Sequence, residues 1–490
     1  MLKSKLRILV VLLGAIAVVG GACSSDDSTD SASDSGDSGS QEGGCSIAET
    51  DDGLEAFLVP QNCPTIQEAV DSAQSGDLVL IDKGTYNEAV DVSTPDITVR
   101  GVDRNEVILD GEFELDNGIR VIDTDGVVVE NLTARNYLSN GFYWTGSDNY
   151  RGSYLTAYRN GDYGIYAYDA YNGQFDNSLG WGSPDAGFYI GECYPCNAVL
   201  DNVDSQYNGL GYSGTNSGGD LYVVNSSFSN NRAGIVPNSG SYELCYPSRS
   251  TTVAGNTVFD NNYTEGPGID VSLLAQGNGI LVAGAVRSDI TKNLVYNHER
   301  TGIGLVPFPE EDANDLAPAR EAWDTPCNDV RDNDIPPIPD AECKAIDGLL
   351  EGCVVIWSPW ENRVTDNVVE GSGVADLAVS TVDLLKTGET TDKLENCFSD
   401  NTFATSAPAN LESLAPCTGA GDGGNWSDNE LDLIGLFTNP APEPEENLWQ
   451  TTPEPPAQDN MPDATTSAPE RFTGPEIPDI DSISVPTKPA

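Results

Sequence analysis

The chain has 490 residues, of which 78 are Asp or Glu and 23 are Lys or Arg, so its formal net charge is −55. A surface this acidic repels nucleic acid and excludes it as a partner, and it disfavours polyanionic glycans unless calcium bridges them. The acidic residues run along the whole chain, which favours solubility at high ionic strength.

The N-terminal segment has the features of an export signal. Three basic residues precede the apolar run of residues 8–19, which is too short to span a bilayer, and residues 1–22 therefore read as a signal peptide. The small residues that lead into Cys23 resemble the lipobox of bacterial lipoproteins. This resemblance implies that Cys23 is acylated and anchors an exported protein to the cell membrane, facing the outside or the periplasm. Gly20 departs from the usual Leu or Val, and ordinary signal cleavage is the alternative.

Two further segments precede the main domain's repeats. Residues 23–44 are almost entirely Ser, Asp and Gly, which predicts a disordered tether between the membrane and the domain. Residues 64–73 predict an N-capped amphipathic helix that covers the open end of a sheet. Its apolar face consists of Ile66, Ala69, Val70 and Ala73.

A 23-residue repeat dominates the centre of the chain. A glycine followed by Ile or Phe recurs at Gly118, Gly141, Gly164 and Gly187, continues weakly near Gly209 and Gly234, and returns at Gly279 and Gly302. Short β-type runs between turn residues indicate about three strands per unit. One unit cannot bury its own inner face, whereas stacked units pair their strands in parallel around a continuous core. The repeat therefore predicts an all-β, right-handed parallel β-helix of about ten 23-residue coils over residues 45–439, in a monomer.

Asparagines recur between these short strands. We expect them at one bend, where each side-chain amide bonds the coils above and below. They are Asn131, Asn177, Asn202, Asn225, Asn256, Asn293, Asn367 and Asn401.

Two stretches carry a family resemblance. Residues 66–92, IQEAVDSAQSGDLVLIDKGTYNEAVDV, resemble the start of pectin-lyase-like β-helix proteins. Residues 161–199, GDYGIYAYDAYNGQFDNSLGWGSPDAGFYIGECYPCNAV, resemble a group of bacterial parallel β-helix-repeat lipoproteins with no assigned activity. The resemblance extends over about residues 63–305 and implies the fold rather than a chemistry.

Two segments stand outside the repeat. Residues 308–352 form a Pro- and Asp-rich, cysteine-bearing insertion of the kind that shapes a binding face on a solenoid. Residues 440–490 form a Pro-rich tail, which we expect to be extended and disordered, laid against the solenoid or reaching into the wall.

The cysteines predict a disulfide framework, because ten of the eleven remain after Cys23 in an exported chain. Bridges should staple the N-terminal cap and close a C-terminal loop: Cys45–Cys63 and Cys397–Cys417. Cys193 and Cys196 form a CxxC, for which a disulfide is favoured over zinc because no histidine or second CxxC lies nearby. Pairing stays open for Cys193, Cys196, Cys245, Cys327, Cys343 and Cys353.

Motifs of familiar β-helix enzymes are largely missing. Residues 84–88 match the GxYxE of pectin esterases, but the later catalytic segments of those enzymes are absent. The sequence also lacks the Asn-Thr-Asp, paired-Asp and Gly-His-Gly set of polygalacturonases in the repeat region and the Asp-Pro-His of alginate epimerases. The single histidine, His298, is expected on a surface bend and is a weak candidate for a general base.

The repeat predicts an aromatic face. The residue after each inward Ile or Phe points outward, which aligns Tyr143, Tyr166 and Tyr189 in successive coils. Tyr212 continues the series, unless a slip of one residue puts Gly211 there. Tyrosine rings suit the C–H faces of sugars, so these four are the predicted carbohydrate-binding residues for an extracellular polysaccharide. A purely structural aromatic ladder is the alternative.

Carboxylates align as well. Asp162 and Asp185 lie two residues before the repeat glycine, and Asp169 and Glu192 lie five residues after it. Two carboxylates in neighbouring coils raise a pKa or attract a cation. The four are candidate catalytic groups of a glycoside hydrolase or lyase, and Asp162 and Asp185 are candidate calcium ligands. A solvated acidic edge is the alternative.

The sequence thus supports three functions: a cell-surface polysaccharide-binding protein, a polysaccharide-degrading enzyme, and a non-enzymatic envelope or adhesive scaffold. No cofactor is predicted firmly, and calcium is the one considered.

Overall fold

The computed structural model describes residues 45–269, 271–311, 327, 354–381, 390–438, 441–445 and 447–488. The predicted signal peptide, Cys23 and the tether lie outside the described residues, as does most of the insertion at 308–352. Within the described ranges, the helices are all too short or too polar to cross a membrane.

Short strands of three sheets follow one another along the chain. The first sheet, apart from its initial antiparallel strand, is parallel and contains Ala48–Glu49, Glu55–Val59, Leu78–Ile81, Thr98–Gly101, Val128–Glu130, Arg151–Ser153, Gln174–Asp176, Ala198–Asp201, Gly218–Val224, Arg249–Ala254, Asp289–Thr291, Arg363–Thr365 and Cys397–Ser399. The second contains Gly84–Tyr86, Val107–Asp110, Thr133–Arg135, Thr156–Tyr158, Leu179–Trp181, Asp204–Gln206, Ser227–Ser229, Thr257–Phe259, Leu294–Tyr296 and Val368–Glu370. The third contains Val90–Val92, Ile119–Ile122, Phe142–Thr145, Tyr163–Tyr168, Ala186–Gly191, Leu210–Thr215, Ala233–Asn238, Ile280–Ala283, Thr301–Val306, Ala375–Val379 and Ser406–Ala407.

This order makes a parallel β-helix, and the predicted fold is confirmed. The second sheet has 10 strands, one for each complete coil of the described chain. The 23-residue stride sets the register, because Ile119, Phe142, Ile165 and Phe188 pair in turn across the third sheet. All four side chains are buried in the core. The residue that follows each of these repeat glycines therefore points into the core.

The predicted cap helix is present as Ile66–Ser72. The Thr65 hydroxyl accepts from the backbone N–H of Glu68 at 3.0 Å, which caps the first turn. The Glu88 carboxylate accepts from the N–H groups of Ile66 and Gln67, both at 3.1 Å. Glu88 is the glutamate of the esterase-like GxYxE motif, so in this chain its contacts are those of a carboxylate at a helix N-terminus.

The bend asparagines divide into two groups, which corrects the prediction of one shared position. Asn131 and Asn177 have left-handed backbone conformations, with φ of 60° and 49°. Asn256 and Asn293 lie one residue later in the coil and are fully buried. The Asn256 side chain donates to Asn293 Oδ1 at 3.0 Å, and this ladder bonds successive coils.

His298 is buried rather than on a surface bend, so that expectation is wrong. Its Nε2 lies 3.2 Å from the carbonyl oxygen of Val258. In the preceding coil Asn261 makes the equivalent contact, donating to the Phe228 carbonyl at 3.0 Å. Burial lowers the pKa of His298 to about 4. The histidine therefore replaces an asparagine in a second bend ladder.

Irregular elements surround the later coils. Strands Phe308–Glu311 and Val354–Trp357 pair antiparallel at the base of the insertion. Short helices are Val271–Ala275, Leu411–Leu414 and Leu433–Thr438, with 3-10 turns at Thr391–Lys393, Leu448–Thr451 and Ile480–Ser482. The predicted disulfides Cys45–Cys63 and Cys397–Cys417 are formed, and the CxxC is closed as Cys193–Cys196. Cys245 pairs with Cys327, whereas Cys343 and Cys353 lie outside the described residues.

The C-terminal tail lies along the solenoid, so the expectation of disorder is wrong for its described residues. Arg100 of the first sheet donates to the carbonyl oxygen of Ser467 at 2.6 Å. Trp181 of the second sheet donates to the Pro453 carbonyl at 2.8 Å. Much further along, Lys292 donates to the Ile480 carbonyl at 2.8 Å. The tail is thus held mainly through its own backbone oxygens.

Candidate functional site

The outer face of the third sheet carries the aligned tyrosines. Tyr143, Tyr166 and Tyr189 pair in successive strands, as the stride predicts. The ring centroids of Tyr143 and Tyr166 are 5.1 Å apart, and those of Tyr166 and Tyr189 are 4.6 Å apart. Tyr163 and Tyr168 flank Tyr166 on its own strand, with centroids 4.6 and 6.0 Å from the Tyr166 ring. We call the half-buried rings Tyr143, Tyr163, Tyr166 and Tyr168 the tyrosine platform.

Tyr212 does not belong to this face. It pairs with Phe188 and Ile235, both inward residues, and it is fully buried. The spacing from Phe188 is 24 residues rather than 23, so one extra residue turns the side chain inward and places Ser213 opposite Tyr189. The prediction of Tyr212 as a carbohydrate-contacting residue is therefore wrong.

Tyr189 lies on the outer face but is covered, and the residue is only 1% exposed. Its hydroxyl donates to the Glu243 carboxylate, with oxygens at 2.6 and 2.7 Å. A Cβ on Gly191 would lie 2.0 Å from the Tyr189 hydroxyl, so the absence of a side chain there makes room for the ring. Tyr189 therefore supports the platform's edge and is not accessible to a ligand, which corrects its predicted role.

Residues 239–247, which we call the covering loop, carry Glu243 over the sheet. Glu310 holds this loop, because its carboxylate accepts from the Ser241 N–H at 2.8 Å and from the Ser241 hydroxyl at 2.6 Å. The indole of Trp357 donates to the same carboxylate at 2.6 Å. The Cys245–Cys327 disulfide ties the loop to the insertion. The insertion's base therefore does shape this face.

One side of the platform is bordered by Asp162 and Asp185. The backbone N–H of Asp185 donates to the Asp162 carbonyl at 3.2 Å, so the two residues do lie in adjacent coils. The Tyr163 hydroxyl donates to the Asp185 carboxylate at 2.8 Å. This contact places the half-buried Tyr163 ring beside a carboxylate.

The opposite side is bordered by Asp169 and Glu192, again in adjacent coils. Burial raises the pKa of Glu192 to about 7, and the nearby Asp169 adds to this, although the Tyr168 hydroxyl and the Leu244 N–H favour the ionised form. Burial likewise raises the pKa of Asp169 to about 6. Glu243, above Tyr189, has its pKa raised well above the usual value by burial. Burial therefore keeps these carboxyl groups protonated to a higher pH than is usual for Asp and Glu.

Sequence reasoning missed Glu243, because it lies in an irregular loop between repeats and 51 residues beyond Glu192 in the chain. The alternation within Tyr163–Tyr168, YGIYAY, is a signal that could have added Tyr163 and Tyr168. For the predicted calcium site, the described residues gather no group of three or more ligating His, Cys, Asp or Glu side chains. Calcium at Asp162 and Asp185 stays a prediction.

Comparisons with known proteins concern the fold. Residues 112–244 match the family model of the right-handed β-helix region. The A-module of mannuronan C-5 epimerase AlgE4 from Azotobacter vinelandii is similar at 15% identity and a TM-score of 0.45, over 69% of this chain and 90% of that module. The periplasmic alginate epimerase AlgG gives 11% and 0.37, over 71% and 85%. An alginate lyase from a Paenibacillus species gives 14% and 0.29, over 49% and 86%.

No curated protein matches the sequence significantly. The matched family region contains the whole tyrosine platform. Together with the sheet topology it defines the class: the fold is an all-β, right-handed parallel β-helix.

Proposed function

We propose that the protein binds a polysaccharide through the tyrosine platform. The observation that carries this is the contact of four half-buried tyrosine rings over two adjacent coils on the outer face of the third sheet. Sugar rings present C–H faces that pack on such rings and hydroxyls that bond their polar tips.

The carboxyl groups around the platform support the same reading. Three tyrosine hydroxyls donate to carboxylates, in the pairs Tyr163–Asp185, Tyr168–Glu192 and Tyr189–Glu243. Glu192 is buried, whereas Asp162, Asp169 and Asp185 are half-buried. A carboxylate oxygen at a half-buried position can accept from a sugar hydroxyl. Aromatic stacking with surrounding hydrogen-bonding groups is the combination that orients a saccharide.

Removing two of the platform rings tests this proposal. The double variant Tyr143→Ala with Tyr166→Ala should lower affinity for an oligosaccharide that the wild type binds by at least tenfold, measured by titration calorimetry across a panel of hexasaccharides. The control is Tyr296→Ala, which removes a ring of the stacked Phe259–Tyr296 pair, centroids 5.0 Å apart, on the second sheet. Equal affinity in the wild type, the double variant and the control would contradict the proposal that the platform binds saccharide.

A second candidate is a polysaccharide-degrading enzyme, which the raised pKa of Glu192 favours. A carboxyl group with a pKa of about 7 is suited to give a proton to a glycosidic oxygen near neutral pH. If this holds, Glu192→Gln should abolish the release of reducing ends while Tyr-dependent binding survives. Asp289→Asn, on the first sheet, is the control. Turnover unchanged in Glu192→Gln would rule out this role.

We also propose that the domain is held at the cell surface by a lipid on Cys23. The support is the basic, apolar and small-residue pattern that ends at this cysteine. Cys23→Ser should move the protein from the membrane fraction to the medium or periplasm. Retention in the membrane at the wild-type level would contradict acylation.

A further inference from the structure

The charged groups that face the tyrosine platform are nearly all acidic. Asp162 and Asp185 lie on one side, and Asp169 and Glu192 lie on the other. Glu243 lies above the covered end, where it contacts the Tyr189 hydroxyl. Any ligand on the rings therefore lies between partly desolvated carboxyl groups.

The one cation on the third-sheet strands of the described chain is Arg120, at the Tyr143 end. Both carboxylate oxygens of Asp91 accept from it, at 2.7 and 2.9 Å, so its charge is compensated. Behind the covering loop, Arg249 is buried and donates to the carbonyl oxygens of Cys245 and Pro247, both at 3.1 Å. Among the described residues of the third-sheet strands, the platform thus has aromatic surface and acceptors, and its one neighbouring cation is the paired Arg120.

We propose that the platform selects neutral glycan chains and rejects polyuronates. This inference rests on the proposed function and adds the substrate class. A neutral hexose or pentose chain offers hydroxyls to the half-buried carboxyl groups of Asp162, Asp169 and Asp185. A uronate brings an anion close to partly desolvated carboxyl groups, where repulsion is screened less than in water.

The inference is tested with four probes: xylohexaose and cellohexaose as neutral chains, and hexagalacturonate and hexamannuronate as anionic ones. Titration at pH 7.5 in low salt should show at least one neutral probe binding at least tenfold more tightly than either uronate. At 0.5 M NaCl the difference in affinity between the neutral and the uronate probes should become smaller, because salt screens the repulsion. The same difference should also become smaller in the Asp169→Asn, Glu192→Gln double variant. Asp289→Asn, whose carboxylate pairs with Arg363 at 3.1 Å, should leave this difference unchanged.

The outcomes separate this inference from the proposed function. Suppose that a uronate binds as tightly as the neutral probes and loses affinity in the Tyr143→Ala, Tyr166→Ala variant. This result would overturn the selection of neutral glycans but would still support the platform as the binding site. A neutral preference that does not respond to salt would also overturn the electrostatic cause. If no saccharide binds, both the proposed binding function of the platform and the inferred substrate class are wrong. The salt series needs no variant, so it stays decisive if the double variant does not fold.

Discussion

The outer faces of the first and third sheets belong to the same coils but carry different kinds of side chain. On the first sheet, Arg100 and Arg151 pair with Glu130 and Asp176, and the tail lies over part of the face. On the third sheet, tyrosines form an aromatic surface beside carboxyl groups, and the covering loop closes one end only. The repeat determines what points inward, whereas covering segments from outside the repeat decide which outward face stays open.

Ion pairs show this difference most directly. Arg100 and Glu130 meet at 2.6 Å with side chains 2% and 5% exposed. Arg120 and Asp91 meet at 2.7 Å with side chains 37% and 63% exposed. The two contacts have nearly the same distance, so they differ mainly in exposure. The tail covers the pair of Arg100 and Glu130, whereas the pair of Arg120 and Asp91 faces solvent.

The largest expected effect is on the core that both faces share. Ile165→Asp would bury a carboxylate among the inward residues of the third sheet, and should destabilise the fold by about 5 kcal/mol or prevent folding. Tyr166→Ser, one residue along and half-buried, should cost less, about 2 kcal/mol. Urea denaturation gives both values. Comparable losses at the two positions would mean that the inside–outside assignment of the strand is wrong.

The next effect separates the two ion pairs. Arg100→Ala leaves Glu130 buried without its partner and frees the Ser467 carbonyl, so it should cost about 3–5 kcal/mol. Arg120→Ala removes a largely exposed pair and should cost about 0–1 kcal/mol. Thermal denaturation measures stability, and limited proteolysis reports on the tail, which should be cleaved faster only in Arg100→Ala. Equal losses would contradict the tail's role in burying the first face.

Much of the fold was predictable from sequence because a solenoid repeats one local rule. The stride placed Ile165 and Phe188 inside and Tyr166 outside, and the even cysteines gave the two terminal bridges. Tyr212 shows where this reasoning ends, since a single inserted residue reverses a strand's faces without changing its composition. Glu243 was out of reach because its position depends on contacts of Glu310 and Cys327 from a distant insertion.

A pH effect should be specific to the third-sheet face. The pKa of Glu192 rises from 4.5 to about 7 on folding, so between these values the folded state binds more protons than the unfolded state. The stability from this group is full below pH 4.5 and is lost as the pH rises through 7, by roughly 3 kcal/mol. Glu192→Gln should remove that loss, so the stability difference between variant and wild type changes across pH 5–8. Asp169→Asn should do the same over a lower range. A pH-independent difference would contradict the raised pKa.

The smallest expected effect is the coupling between platform rings in the free energy of unfolding. It shows how much these rings contribute to stability rather than to ligand binding. Tyr143 and Tyr166 lie 5.1 Å apart at an interplanar angle of 31°, so a double-mutant cycle with Ala should give a coupling of about 0.5–1.5 kcal/mol in the free energy of unfolding. The same cycle on Phe259 and Tyr296 of the second sheet, stacked at 5.0 Å and 9°, is the control for a pair with no proposed ligand. Equal stability couplings are expected, because both are ordinary cross-strand pairs. Saccharide affinity should instead fall only in the Tyr143 and Tyr166 variants. If affinity follows stability at both pairs, the tyrosines act by holding the coils together, and the open third-sheet face has no more claim to a ligand than the covered first one.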